Sequence, residues 1–171
     1  VLFGDPKQLC CFSTLRLSRR SATDAALHWN CKMCLTECFR LKGTLGHFFC
    51  QTIYEEEEMQ LQYGLENCTL KLVEVPEDNQ QCQVWHPRSS ALSAKLEYKI
   101  VKMLSGTSKE LYYITFYSDQ KKLFISELQR NADNSRVQEK LTGIHTVDAC
   151  QGLNAKGDVI LSIGRPTGIG F

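Results

Sequence analysis

The sequence has no run of about eighteen apolar residues, so nothing in it reads as a membrane-spanning helix. Its first residues, Val1 to Leu9, lack the charged start and apolar stretch of a secretory signal. No internal repeat or low-complexity tract is present. Net charge is nearly absent: 20 Lys and Arg against 19 Asp and Glu leave +1. There is thus no global basic field to gather nucleic acid, and any such contact must be made by local donors. No Gly-x-x-x-x-Gly-Lys-Ser/Thr phosphate loop occurs. The chain alone is therefore not expected to hold the β- and γ-phosphates of a nucleotide with magnesium, or to turn ATP over.

What is present is the make-up of an ordered globular domain. The 171 residues are 43% hydrophobic and 23% charged, enough for a real core and too apolar for disorder to dominate. Cysteine is abundant, at nine. Without a signal sequence these read as mostly free thiols of a reducing compartment, cytoplasmic or nuclear. Cys31-x-x-Cys34 offers half of a zinc site, but Cys38, His47 and Cys50 form no standard second pair, so no metal is assigned. Whether Cys31, Cys34 and Cys38 bind one stays open. The acidic run Glu55 to Glu58 reads as a solvated helix end.

Strand and helix signals alternate. Val1 to Phe3 runs into Gly4-Asp5, as a buried parallel strand does at the carboxyl edge of a sheet. Leu45, Phe48, Phe49 and Ile53 recur at helical spacing and predict a helix over Thr44 to Ile53. Thr69 to Val75 reads as a strand and Pro76 to Gln81 as a loop. Ser93 to Leu104 predicts an amphipathic helix with Leu96, Ile100, Met103 and Leu104 inward, stopped by Gly106. Leu111 to Tyr117 reads as a buried strand. Asp119 to Arg130 is a helix with Phe124, Ile125 and Leu128 inward, and Asn131 to Ser135 a polar turn. Ile144 to Val147 and Val159 to Ile163 are further strands. The expected class is α/β, a parallel sheet with helices on both faces. The abrupt start, and the finish at Gly168-Ile169-Gly170-Phe171 just after a strand, read as the ends of a fragment.

The order of several short blocks carries the functional argument. Gly4-Asp5-x-x-Gln8-Leu9 resembles motif III of superfamily 1 helicases. Cys38-Phe39-Arg40, with Leu45-x-x-Phe48 and Ile53-Tyr54-Glu55 after it, is similar to the family's Gln-Tyr-Arg-Met block and the helix that follows. Ile114-Thr115-Phe116-Tyr117-x-x-Gln120 is similar to motif IV. Val147-Asp148-Ala149-Cys150-Gln151-Gly152, then Asp158 to Ser162 and Arg165, resembles motif V, and Gly168 to Phe171 the approach to motif VI. Together they span essentially the whole chain. The nearest resemblance is to the branch holding the nonsense-mediated-decay RNA helicase and senataxin.

That resemblance implies a motor of two RecA-like lobes of the P-loop NTPase fold, with ATP and Mg2+ in the cleft between them and single-stranded RNA or DNA across their tops. Residues 1–40 would be the end of the first lobe and the inter-lobe connection. Residues 41–171 would be the second lobe, truncated before motif VI, with the phosphate loop and most magnesium ligands upstream of Val1. Gln8 and Arg40 would be catalytic. The Gln8 amide can donate to a γ-phosphate oxygen or orient water, and the Arg40 fork suits charge developing on phosphate. Gly4, Asp5, Phe39, Gln151, Gly152 and Asn154 would complete the ATP site. Phe39 stands where the family stacks an aromatic on adenine, although core packing also suits it.

Thr115, Tyr117, Gln120, Lys121 and Asp148 would contact nucleic acid. Thr115 would do so from a strand end, and Gln120 and Lys121 from a helix start that favours anions. Asp148 would also couple the two sites, or act only as a helix cap. The chain departs from the pattern at Cys10-Cys11 for Pro-Pro, at Leu41-Lys42-Gly43 for Met-His-Pro, at Phe116 for Pro, and at Leu153-Asn154 for x-Glu. The last change removes a carboxylate acceptor for a ribose hydroxyl. A second reading follows from these departures: a degenerate helicase-like lobe that binds nucleic acid or protein without ATPase activity.

Overall fold

A computed structural model describes residues 5, 7–8, 37–41, 43–54, 60–61, 71–73, 91–131 and 135–163. The expected strand at Val1 to Phe3, Gly4, the pair Cys31 and Cys34, the run Glu55 to Glu58, the loop Pro76 to Gln81, Arg165 and Gly168 to Phe171 lie outside them. The chain divides into two compact units, residues 1–72 and 73–171.

In the first unit, β1 (Glu37–Cys38) pairs in parallel with β2 (Gln60–Leu61), Glu37 opposite Gln60 and Cys38 opposite Leu61. Helix α1 (Gly43–Ile53) lies between them in sequence and agrees with the apolar spacing from Leu45 to Ile53. Residues 71–73 are not a strand. Lys71, Leu72 and Val73 are all exposed, Leu72 by 92%, so the loose apolar alternation there is not matched by burial.

The second unit is an α/β layer. Helix α2 (Ala91–Leu104) leads to β3 (Leu111–Thr115), and α3 (Ser118–Arg130) and α4 (Ser135–Lys140) lead to β4 (Leu141–Thr146). A short 3-10 turn (Asp148–Cys150) then precedes β5 (Asp158–Ser162). The three strands form a parallel sheet in the order β4-β3-β5. β3 is central, and it is the strand whose residues alternate fully buried and half-buried. Between Leu111–Leu141 and Tyr112–Gly143 the β3–β4 register slips, leaving Thr142 as the extra residue.

One core lies on the face carrying Leu111 and Tyr113. Tyr98 and Val101 of α2, Phe124 of α3 and Val137 of α4 close over it, with Ile144 and Ile160 packed alongside. The Tyr113 and Phe124 rings stack at 3.8 Å between centroids and 8° between planes. The described helices of this unit, α2, α3 and α4, thus share a single face. On the other, Val159 and Leu161 are about half-exposed (48% and 50%), so helices on both faces are not found among the described residues.

Two local details hold the layer together. Arg136 of α4 donates from Nε to the Ser105 carbonyl at 3.0 Å and from Nη2 to the Gly106 carbonyl at 2.8 Å. It thereby satisfies acceptors just past the end of α2, where positive charge is favoured. At the start of β5, the Asp158 amide donates to the Glu110 carbonyl at 3.0 Å, and a Cβ at Gly157 would overlap that same carbonyl oxygen. Gly157→Ala is therefore expected to cost about 1–3 kcal/mol in urea unfolding. A loss below about 0.5 kcal/mol would show that the strand entrance relaxes freely.

Helix α2 presents only part of the face expected of it: Leu104 packs against the core, but the fully buried stripe is a different one. Ala94, Glu97, Tyr98 and Val101 are buried, while Met103 is 69% exposed and Leu96 and Ile100 are only half-buried. The helix is turned so that a carboxylate points inward. The reason is polar: Glu97 finds three donors there, the Tyr113 and Ser162 hydroxyls and the Gln120 amide.

Candidate functional site

Because β3, β4 and β5 run parallel, their carboxyl ends lie along one edge of the sheet. Thr115 ends β3, Thr146 ends β4 and Ser162 ends β5, opposite one another in register. That edge is where open parallel sheets receive ligands. The segments that follow the strand ends hold the candidate residues of this unit. After β3 come Tyr117, at the N-cap of α3, and Gln120 and Lys121 in its first turns. After β4 come Asp148, Gln151, Gly152 and Asn154.

The N-cap of α3 makes no side-chain hydrogen bond. The Lys121 amide is already used by the Tyr117 carbonyl at 3.1 Å. Lys121 is half-buried and Tyr117 half-exposed, whereas Lys122 is exposed and pairs with Asp119 at 3.1 Å. Thr115 is fully buried, and its hydroxyl has no hydrogen-bond partner among the described residues. The Val147 amide donates to the Thr115 carbonyl at 2.9 Å, which ties the exit of β4 to the exit of β3. Asp148, Gln151, Gly152 and Asn154 are exposed. Gly152 has φ +84, and a Cβ there would meet no neighbour, so its glycine serves backbone conformation rather than space.

Gln120 is placed differently from a solvent-facing contact. It is 4% exposed, and its Nε2 donates to Glu97 Oε2 at 3.0 Å. The same oxygen accepts the Tyr113 hydroxyl at 2.7 Å, and Glu97 Oε1 accepts the Ser162 hydroxyl at 2.6 Å. Burial and the adjacent Glu97 carboxylate push the Tyr113 phenol well above its ordinary value, so it remains a donor. Glu97 was not singled out from the sequence, and Ser162 only as part of a strand. The signal was present in the series Ala94, Glu97, Tyr98, Val101, a second helical stripe interrupted by one acid.

In the first unit, the turn at Asp5 to Gln8 is built on Asp5. Its Oδ1 accepts the Lys7 amide at 2.9 Å, and its Oδ2 accepts Gln8 Nε2 at 3.2 Å and the Tyr54 hydroxyl at 2.6 Å. Asp5, Gln8 and Tyr54, which follows the last residue of α1, are therefore brought together. Phe39 and Arg40 lie in a bend between β1 and α1, exposed, with Phe39 at 60%. Phe39 is thus not a core residue. Arg40 precedes α1 and Tyr54 follows it, with the 11 residues of the helix between them.

Cys38, Cys50 and Cys150 are free thiols. Burial, with Cys38 adding to it, pushes the Cys50 thiol up, away from the thiolate that a nucleophile or metal ligand requires. Among the described residues no group of three or more His, Cys, Asp or Glu is placed to hold a metal ion, and no helix is long and apolar enough to cross a membrane. The class these features define is an α/β domain with a parallel sheet whose polar residues gather at its carboxyl edge. Comparison with protein-family models, with curated proteins and with solved structures gives no match to this chain.

Proposed function

We propose that the chain is the C-terminal part of an ATP-dependent superfamily 1 helicase or translocase acting on single-stranded RNA or DNA, with the second unit a RecA-like lobe. The observation that carries this reading is one of placement. The motif IV-like segment, Ile114 to Gln120, and the motif V-like segment, Val147 to Gly152, are about thirty residues apart in sequence yet lie at neighbouring strand ends of one sheet. Ordered motifs on a chain impose no such meeting unless the strands between them are parallel.

In this reading ATP and Mg2+ bind where Asp5, Gln8, Phe39 and Arg40 meet the phosphate loop of a first lobe. Gln8 senses the γ-phosphate through an amide that Asp5 already orients, and Arg40 offers positive charge to the phosphoryl group as it passes from ADP to water. Phe39, exposed, offers a ring face to the base. The strand of nucleic acid lies along the carboxyl edge, against Tyr117, Lys121 and Asp148, while Thr115, fully buried, supports that edge from within. Gln120, buried, lies behind that edge rather than on it.

The test compares two proteins. The intact parent protein should hydrolyse ATP with magnesium, stimulated by a single-stranded oligonucleotide, while the 171-residue chain alone should show no turnover. An intact parent without stimulated hydrolysis would leave a nucleic-acid or protein binding module. Robust magnesium-dependent turnover by the chain alone would remove the assignment of a missing first lobe.

A further inference from the structure

Among the described residues of the second unit, one buried carboxylate has partners from separate elements. Glu97, 7% exposed, sits on α2 and binds Tyr113 of β3, Gln120 of α3 and Ser162 of β5 at 2.6–3.0 Å. Nothing in the proposed chemistry uses this carboxylate. A stability role alone is a weak reason for it, because a buried charged group is costly to desolvate and an apolar side chain of similar length fills the same space. What the carboxylate adds is direction. It fixes the end of β5, the first turns of α3 and the β3 strand that ends at Thr115 against one point on α2.

We propose that Glu97 is a positioning residue for the nucleic-acid edge. By holding Gln120 and Ser162 together it sets the start of α3 relative to the ends of β3 and β5, so that Tyr117 and Lys121, which follow the buried strand end at Thr115, meet one strand of phosphates at once. This rests on the reading of that edge as a nucleic-acid contact. Glu97 itself touches no ligand. Its three bonds tie α2 to β3, α3 and β5, and loss of one arm frees the first turns of α3 to shift while the apolar core below remains packed. A displacement of the order of 1 Å at the contact residues is enough to weaken several phosphate contacts together.

The experiment uses the 171-residue chain and fluorescein-labelled oligouridylate and oligothymidylate, with anisotropy read over a range of salt concentrations. Glu97→Met, Ser162→Ala, Glu97→Gln and Lys121→Ala are compared, each at a temperature where circular dichroism shows it fully folded. Glu97→Met should weaken binding about tenfold with the salt dependence unchanged, since no phosphate contact is deleted. Ser162→Ala, which removes one arm, should weaken it about threefold. Glu97→Gln should stay close to the unaltered protein, because the amide oxygen still accepts from Tyr113 and Gln120 and the Ser162 hydroxyl can turn to accept. Lys121→Ala should lower the salt slope by about 0.7, the loss of one phosphate contact on a single strand.

If Lys121→Ala has this effect and a folded Glu97→Met binds within about twofold of the unaltered protein, the positioning role is wrong and the edge assignment stands. Should Glu97→Met fail to fold, Ser162→Ala decides, and unchanged affinity there is the overturning result. Absence of binding by the unaltered chain, or Lys121→Ala without effect on affinity and slope, overturns the edge assignment and the positioning role with it.

Discussion

Arg40→Ala in the intact parent protein is expected to lower nucleic-acid-stimulated ATP hydrolysis by about 10³–10⁵-fold, the range that an arginine stabilising phosphoryl-transfer charge supplies. The side chain is exposed, in a bend between β1 and α1, and contributes nothing to a core. Its removal should therefore leave the thermal midpoint of the fold unchanged. Arg40→Lys should recover little, because an ammonium keeps the charge but not the planar fork that meets two phosphate oxygens. ATP affinity, measured by displacement of a fluorescent analogue, should fall much less than turnover, since the interaction strengthens as charge develops. Turnover unchanged in Arg40→Ala would take this residue out of the site.

Phe124→Ala is expected to destabilise the second unit by about 3–5 kcal/mol in urea unfolding. The ring is fully buried, stacked on Tyr113, and joined by Val101, Leu111 and Val137 in the only shared core of α2, α3 and α4 among the described residues. Truncation leaves a cavity bounded by the rigid β3 strand, which cannot collapse to fill it. Tyr113→Phe is the matched control. It keeps the stacked pair and deletes only the hydroxyl on Glu97, so the expected loss is about 1–2 kcal/mol. A Phe124→Ala loss no larger than that of the control would mean that the Glu97 hydrogen bonds, not the aromatic stack, carry the stability of this layer.

Much of the second unit was legible because its signals are local. The apolar spacing of α3, with Phe124 buried and Ile125 and Leu128 half-buried, agrees with the structure to within one residue at its start. The β-branched and aromatic run of β3 and the apolar run of β5 are also found, each ending or beginning a residue or two earlier than expected. Other elements carried too little signal. α4 has six residues and a single buried one, Val137, which is not enough to establish a period. The two-residue strands β1 and β2 exist only because they pair with each other. In the expected strand around Leu72 the described residues 71–73 are not a strand for the converse reason: Leu72 and Val73 are apolar, but both are exposed.

The candidate site divides in the same way. That Gly4 to Leu9, Cys38 to Arg40, Thr115 to Lys121 and Val147 to Gly152 are short polar segments next to apolar runs is a property of the linear chain. Local chemistry also specifies that Asp5 can hold the turn leading to Gln8, and that Gly152 can take the left-handed conformation it adopts. The order β4-β3-β5, the gathering of Thr115, Thr146 and Ser162 at one edge, and the inward turn of α2 around Glu97 were decided only by the tertiary structure. A buried carboxylate is tolerated only where distant donors converge on it. Side chains up to 65 residues apart in sequence leave no periodic trace of that convergence along the chain.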